Sequence, residues 1–203
     1  MFELSIGFLC RSRAIESFAR GLDSNKHDTI YAFAYCNFRD PNTQNPVNIL
    51  GALLAQLCAQ VERFPIELLR AYERGAERNQ GAPPAPSMIF EAIRILSAAR
   101  NVRIFVDALD EVNDPKSLAR QLMHLTTISS TISVFSTSRR IMGIERVLKD
   151  VNHVLMEDHI PEIDNDIRTV ITDHILEDSD LDWLSSELQE TVTSSLLSKS
   201  QGM

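Results

Sequence analysis

Three short apolar segments, separated by stretches long enough to form helices, constrain the fold of this chain more than any other feature. The segments are IYAFAYCNF at 30–38, RIFV at 103–106 and TISVFS at 131–136. Each is rich in β-branched or aromatic residues, which indicates a buried strand. Because parallel strands must be joined by crossover connections, this alternation predicts a mostly parallel sheet with helices on both faces. The predicted fold class is therefore α/β, with three layers.

Apolar residues at helical spacing fill the connections between these strands. In the segment 47–64 one helix face carries Ile49, Leu53, Leu54 and Leu57. A second helix is predicted at 87–101 with Ser87 as its N-cap, and a third at 114–128 with Asp114 as its N-cap. All three helices are expected to pack against the sheet.

The C-terminal part of the chain has a different pattern. HVLMED at 153–158 predicts a short fourth strand, and the chain is then wholly helical. Two apolar stripes are expected on these helices: Ile163, Ile167, Val170, Ile171 and Ile175, and then Trp183, Leu184, Leu188, Val192 and Leu196. We therefore expect an α/β core over residues 1–160 and the start of a helical lid over residues 161–203, which the chain does not complete.

The composition narrows the class of partner and the compartment. A net charge of -8 and a pI near 5.1 argue against a general surface for nucleic acid or anionic membrane, because such a surface needs a basic patch. Cys10, Cys36 and Cys58 are widely spaced and lack nearby histidines, so neither a disulfide framework nor a zinc site is indicated. The apolar segment near the N-terminus is too short to span a bilayer. These features predict a cytoplasmic protein without nucleic-acid or membrane partners.

Three carboxylates follow the second strand, at Asp107, Asp110 and Glu111. A carboxylate at the end of a buried strand is unfavourable unless something pairs with it. Ligands of open parallel sheets bind beyond the carboxyl ends of the strands, so Asp107, Asp110 and Arg139 are predicted to converge there. The alternative is that the acids only start a turn or cap a helix, and that Arg139 and Arg140 are solvated charges or partners of these acids.

The segments FVDALDE, STSRR and the upstream block 31–58 together resemble the NACHT and nephrocystin-like N-terminal NTPase domains of fungal STAND-type signalling proteins. The resemblance covers roughly residues 30–203 and implies a P-loop NTPase-like fold. It implies that Asp107, in the Walker B position, holds Mg²⁺. It also implies that Asp110 and Glu111 position or activate the attacking water and that Arg139 is a sensor residue for bound ATP or GTP.

The glycine-rich phosphate loop of such NTPases, GxxxxGK[ST], is missing from the sequence. The nearest candidate is SIGFLCRSRA within residues 1–29, where Arg11 and Ser12 stand in place of the usual Lys and Ser. It lies between a strand-like segment and a helix predicted to begin near residue 12, which we expect to approach the three converging side chains. Cys10 replaces a glycine there, so a Cβ occupies the space that the backbone needs to approach phosphate. We therefore expect weak or absent nucleotide binding.

Two functions remain open from the sequence. In the first, the chain binds Mg²⁺ with ATP or GTP and hydrolyses the nucleotide slowly. The resemblance implies that in relatives nucleotide exchange is a switch that controls oligomerisation or an effector. In the second, it holds no cofactor and serves as an interaction module, through protein partners or a homo-oligomer, that regulates a full-length relative. Three origins of the chain also remain open: a natural short product, a degenerate paralogue or an imperfect gene model.

Overall fold

The first part of the described chain is built around a three-stranded parallel sheet. The computed structural model describes residues 28–79 and 84–200. Within them the sheet has the order β1–β2–β3, with β1 at Thr29–Tyr35, β2 at Asn101–Asp107 and β3 at Ile132–Ser136. β2 pairs in parallel with both neighbours, so that Ile104 lies between Ala32 and Val134. The predicted α/β fold with a parallel sheet is confirmed, with residues 102–106 in its middle strand.

Helices flank and follow these strands. The bounds of the α-helices in the described residues are α1 Pro46–Ala59, α2 Ile66–Asn79, α3 Pro86–Ser97, α4 Pro115–Ile128, α5 Met142–Leu148, α6 Ile160–Glu177 and α7 Ser186–Ser200. Short 3-10 helices lie at Pro41–Thr43, Leu109–Glu111, Met156–His159 and Ser179–Leu181. The chain divides into two compact units at Val154 and Leu155, six residues before the boundary placed from the sequence. The strand-like and helix-like segments expected near the N-terminus lie outside the described residues.

Side-chain caps and prolines fix where the helices begin. Asp114 accepts a hydrogen bond from the Ser117 N–H and Pro115 follows it, so the predicted N-cap of α4 is confirmed. Ser87 is not a cap, because α3 already begins at Pro86. Proline is favoured at the first helical position since its fixed φ suits a helix and its missing N–H would have no partner there.

The apolar core lies between one face of the sheet and α1, α3 and α4. The even-numbered residues of β2 point into it, namely Val102, Ile104 and Val106. The helices contribute fully buried side chains, including Leu50, Leu53, Leu57, Ile89, Ile93, Leu96, Leu118, Leu122 and Leu125. Both crossovers advance the chain in the same direction across the sheet, and right-handed crossovers of this kind place their helices on one face.

The odd-numbered strand residues form a smaller aromatic cluster on the opposite face. Phe105 is buried there and stacks on Phe33, with ring centroids 5.1 Å apart, while Phe135 lies 5.9 Å away on the other side. Side chains alternate between the faces of a strand. Asp107, two residues after Phe105, therefore belongs to the aromatic face and not to the face that builds the apolar core.

The second unit corrects two predictions. The fourth strand predicted at 153–158 is wrong, since no strand forms there and Met156–His159 is a 3-10 helix. The local apolar run is short, and strand propensity depends strongly on packing against neighbouring strands. Trp183 is not part of a helical stripe, because it precedes α7 and its exposed fraction is 73%. Ile175 and Leu197 are the buried apolar residues of α6 and α7.

Within residues 28–79 and 84–200, no helix is both long enough and apolar enough to cross a bilayer.

Candidate functional site

Five polar side chains lie where β2 and β3 end, and we call them the strand-end cluster: Asp107, Asp110, Glu111, Thr137 and Arg139. Asp107 is the last residue of β2 and is 5% exposed. The next residue, Ala108, has φ 55° and ψ 49° and is the one non-glycine residue with positive φ in the described part of the chain. This left-handed residue turns the chain sharply, so that the 3-10 helix Leu109–Glu111 starts directly beyond the strand.

Thr137 holds this turn against the end of β3. Its hydroxyl donates to Oδ1 of Asp107 and accepts a hydrogen bond of 2.9 Å from the Ala108 N–H. Its backbone N–H donates to the Val106 carbonyl, and its own carbonyl accepts from the Leu109 N–H. Thr137 thus fixes the Asp107 carboxylate and the turn together. Thr137 was not predicted from the sequence. The signal that could have identified it is its position directly after a buried strand, within STSRR.

Asp110 and Arg139 form the second contact of the cluster. The Asp110 carboxylate accepts a hydrogen bond of 2.9 Å from the Arg139 backbone N–H, and its other oxygen accepts from Arg139 Nε. The Asp110 side chain is 3% exposed, whereas that of Arg139 is 77% exposed. Burial alone would raise the pKa of Asp110, but the hydrogen bonds from Arg139 outweigh it and hold the pKa below its usual value. The structure therefore brings these two predicted residues together as a fixed ion pair.

Glu111 and Cys36 connect the cluster to the loop that follows β1. Glu111 Oε2 accepts a hydrogen bond of 3.1 Å from the Phe38 N–H, and the Cys36 N–H donates to the Asp107 carbonyl over 3.0 Å. Burial raises the pKa of the Cys36 thiol to about 12, and the carboxylates of Asp107, Glu111 and Asp110 add to the increase. Since only a thiolate is a strong nucleophile, Cys36 is a neutral structural residue.

Asp107 fits the part of a magnesium site that a nucleotide-binding protein supplies. Mg²⁺ in such sites takes one or two carboxylates, and nucleotide phosphates and waters complete its octahedral shell. Asp107 supplies one carboxylate at the end of the sheet, and its Oδ1 accepts from Thr137. Asp110 and Glu111 bond to Arg139 and to the Phe38 N–H. In the described ranges, no group of three or more His, Cys, Asp or Glu side chains is arranged to hold a metal ion.

Two predicted site residues are outside the described part of the chain, and a cleft within the described part lies apart from these contacts. Arg11 and Ser12, the candidate phosphate-loop residues, fall outside the described residues. A cleft of about 710 Å³ lies between α2 and α3, and none of the strand-end cluster lines it. Its walls carry charges of both signs, including Glu91 and Arg94, which pair with each other at 2.8 Å. The predicted site residues that the structure describes, Asp107, Asp110, Glu111 and Arg139, thus lie at the end of the sheet and not in this cleft.

One comparison with known proteins covers the strand-end cluster. No curated protein matches the chain. The family model described as nephrocystin 3, N-terminal, matches residues 10–139, which is more than half of the sequence. This range contains the three strands of the described sheet and ends on Arg139, so all five residues of the strand-end cluster are inside it. The chain therefore belongs to the nephrocystin 3 N-terminal family.

Proposed function

We propose that the chain is the nucleotide-responsive domain of a signalling switch and that it binds Mg²⁺ with ATP or GTP weakly at the strand-end cluster. The observation that carries the proposal is the placement of Asp107. It is a buried carboxylate at the carboxyl end of the middle strand of a parallel sheet, the edge at which such sheets bind ligands. The family membership supports the same function. The proposal includes a cytoplasmic location, because Cys36 and Cys58 are free thiols and such thiols are typical of a reducing compartment.

Each residue of the cluster has a distinct role in this proposal. Asp107 holds the water shell of Mg²⁺, and the ion, when bound, neutralises charge on the phosphate oxygens. Arg139 presents its exposed guanidinium to the phosphates, which it is suited to bind through paired N–H groups. Asp110 keeps that guanidinium in place, and its lowered pKa makes it a weak base at neutral pH. Glu111 is then the acid that orients water.

The same proposal predicts low affinity because the phosphate cradle is missing from the sequence. A complete loop offers several backbone N–H groups and a lysine to the phosphates. Hydrogen bonds to a charged group contribute about 1.5–3 kcal/mol each. Losing two of them therefore lowers affinity by about a hundred-fold or more. The missing loop also supports the second hypothesis, a domain that binds a protein partner or another copy of itself without nucleotide.

Isothermal titration with Mg-ATP and Mg-GTP tests the proposal. We expect weak, magnesium-dependent binding that Asp107→Asn abolishes, since asparagine keeps the shape and the acceptor for Thr137 but removes the charge. The control is Asp150→Asn, which removes a carboxylate that is 84% exposed in the same unit. Binding that survives Asp107→Asn would contradict the proposed site. No binding by the wild-type protein at millimolar nucleotide would favour the interaction module, for which light scattering would measure self-association.

A further inference from the structure

Backbone groups along the outer edge of β1 are hydrogen-bonded to side chains instead of to another strand. In the described sheet, β1 pairs with β2 on one side. At the two ends of this pairing, the Asn101 N–H donates to the Asp28 carbonyl and the Cys36 N–H donates to the Asp107 carbonyl. Backbone groups of a strand point alternately to its two sides, so even-numbered residues of β1 face β2. The N–H and C=O groups of Tyr31 and Phe33 therefore point outward, to the side where a further strand would pair.

Two glutamine side chains occupy all four of these outward groups. The Gln60 amide accepts from the Tyr31 N–H over 3.0 Å and donates to the Tyr31 carbonyl over 2.6 Å. The Gln56 amide accepts from the Phe33 N–H over 3.0 Å and donates to the Phe33 carbonyl over 2.8 Å. Each amide thus reproduces the donor and acceptor of one peptide group on a neighbouring strand. We call the two residues the glutamine cap.

The spacing of the glutamine cap follows from the geometry of the two elements. Residues four apart on a helix are separated by about 6 Å along its axis, and alternate residues of a strand by about 6.6 Å. α1 runs beside β1 in the opposite direction, so Gln60 meets Tyr31 and Gln56 meets Phe33. One helix face can therefore match two successive outward positions of the strand. Gln60 is also tied to its own helix, donating to the Gln56 carbonyl over 2.8 Å.

With its uncharged sequence, β1 would be prone to aggregate through its outer edge if that edge were free. Residues 29–35, TIYAFAY, contain no charged residue, no proline and no glycine. Short segments with this composition and high strand propensity are prone to pair edge to edge. Natural sheets usually protect such edges with charges, prolines or bulges, and β1 has no charge or proline to do so. The glutamine cap supplies the protection that the strand itself lacks.

We propose that Gln56 and Gln60 close the outer edge of β1 and thereby prevent this surface from pairing with the same edge of a second copy of the chain. A second copy is the fitting partner because two identical edges can pair symmetrically, each supplying the same outward groups. The surface is independent of nucleotide and of the strand-end cluster. Removing the glutamine amides exposes the backbone groups of Tyr31 and Phe33 and allows this pairing.

The first experiment measures self-association of the double variant Gln56→Met/Gln60→Met. Methionine has similar length and helix propensity but cannot reproduce the amide bonds. The matched control is Ala55→Met/Ala59→Met, which adds two methionines to exposed positions of the same helix, also four residues apart. By sedimentation velocity, we expect the cap variant to self-associate at least about ten-fold more tightly than the control. Equal behaviour of the two folded variants across the concentration range would overturn the proposal.

Hydrogen exchange gives a second test that does not depend on how well the double variant folds. In the wild-type protein the Tyr31 and Phe33 amides should be protected, although neither faces β2. Gln56→Met should speed exchange at Phe33 about ten-fold with little change at Tyr31, and Gln60→Met should do the reverse. Unprotected Tyr31 and Phe33 amides in the wild-type protein would show that the glutamines do not close this edge.

Discussion

The apolar core and the strand-end cluster are built on the same strands but are held together in different ways. In the core, side chains such as Leu53 and Ile104 fill space and form no directed bonds. In the cluster, Thr137 and Asp110 each satisfy several polar groups within one turn of chain. Changes of volume should therefore be most costly in the core, whereas loss of a single hydroxyl or charge should matter in the cluster.

The largest effect should come from a cavity in the core. Leu53 is fully buried against the sheet, so Leu53→Ala removes packing and leaves a void. We expect a loss of about 2–5 kcal/mol in the free energy of unfolding, measured by urea denaturation. Leu69→Ala is the control, because Leu69 is 43% exposed on α2. Similar losses for the two variants would mean that burial does not distinguish the core from the surface.

A smaller effect is expected from Thr137→Val, which tests the cluster without changing its volume. Valine cannot donate to Asp107 or accept from the Ala108 N–H, so two buried polar groups lose a partner. The expected loss in the free energy of unfolding is about 1–3 kcal/mol. Thr137→Ser keeps the hydroxyl and should retain more of the stability. If valine is tolerated as well as serine, the hydrogen bonds of Thr137 contribute little.

The smallest effect should appear in the pH dependence of the Asp110–Arg139 pair. Because the folded-state pKa of Asp110 is lowered, the charged carboxylate stabilises the protein fully above the pKa of an unfolded aspartate, near 4. That contribution is lost as pH falls through the lower folded-state pKa. Arg139 is mostly exposed and screened by solvent, so Asp110→Asn should cost only about 1 kcal/mol at pH 7.

Thermal denaturation of wild-type protein and Asp110→Asn between pH 7 and pH 2.5 checks this sign. The stability difference should be constant from pH 7 to about pH 5 and should shrink at lower pH as the wild-type carboxyl takes up its proton. A difference that grows on acidification would show that Asp110 has a raised pKa. Glu91→Gln provides the comparison for an exposed ion pair and should change stability little.

The apolar pattern of the sequence was enough to predict the core. Strands and helices that bury one face leave a strong periodic signal, so the middle strand was predicted correctly. In α1, the predicted residues Ile49, Leu53 and Leu57 are buried, whereas the predicted Leu54 is half-buried and the fully buried Leu50 was missed. The strand expected at 153–158 failed because its pattern was short and pairing depends on neighbours distant in sequence. The helical stripe through Trp183 failed because α7 begins only at Ser186.

The strand-end cluster was only partly predictable. Strand ends are visible in a sequence, so the meeting of Asp110 and Arg139 followed from a parallel sheet. The roles of Thr137, Gln56 and Gln60 did not, because each depends on which backbone groups face it in the folded chain. A hydroxyl or an amide leaves no periodic pattern in a sequence, and its partners here are 23–30 residues away.

The order of synthesis gives the glutamine cap a further importance. The loop after β1 is tied by the Phe38 N–H to Glu111, 73 residues later, and β1 itself pairs with a strand that starts at Asn101. At ribosomal rates of about 5–20 residues per second, Glu111 emerges about 4–15 s after Phe38. Gln56 in α1 and Gln60 directly after it lie only 23 and 29 residues from their partners. During translation, the outer edge of this uncharged strand can therefore be closed before the strand that will cover its inner edge has been made.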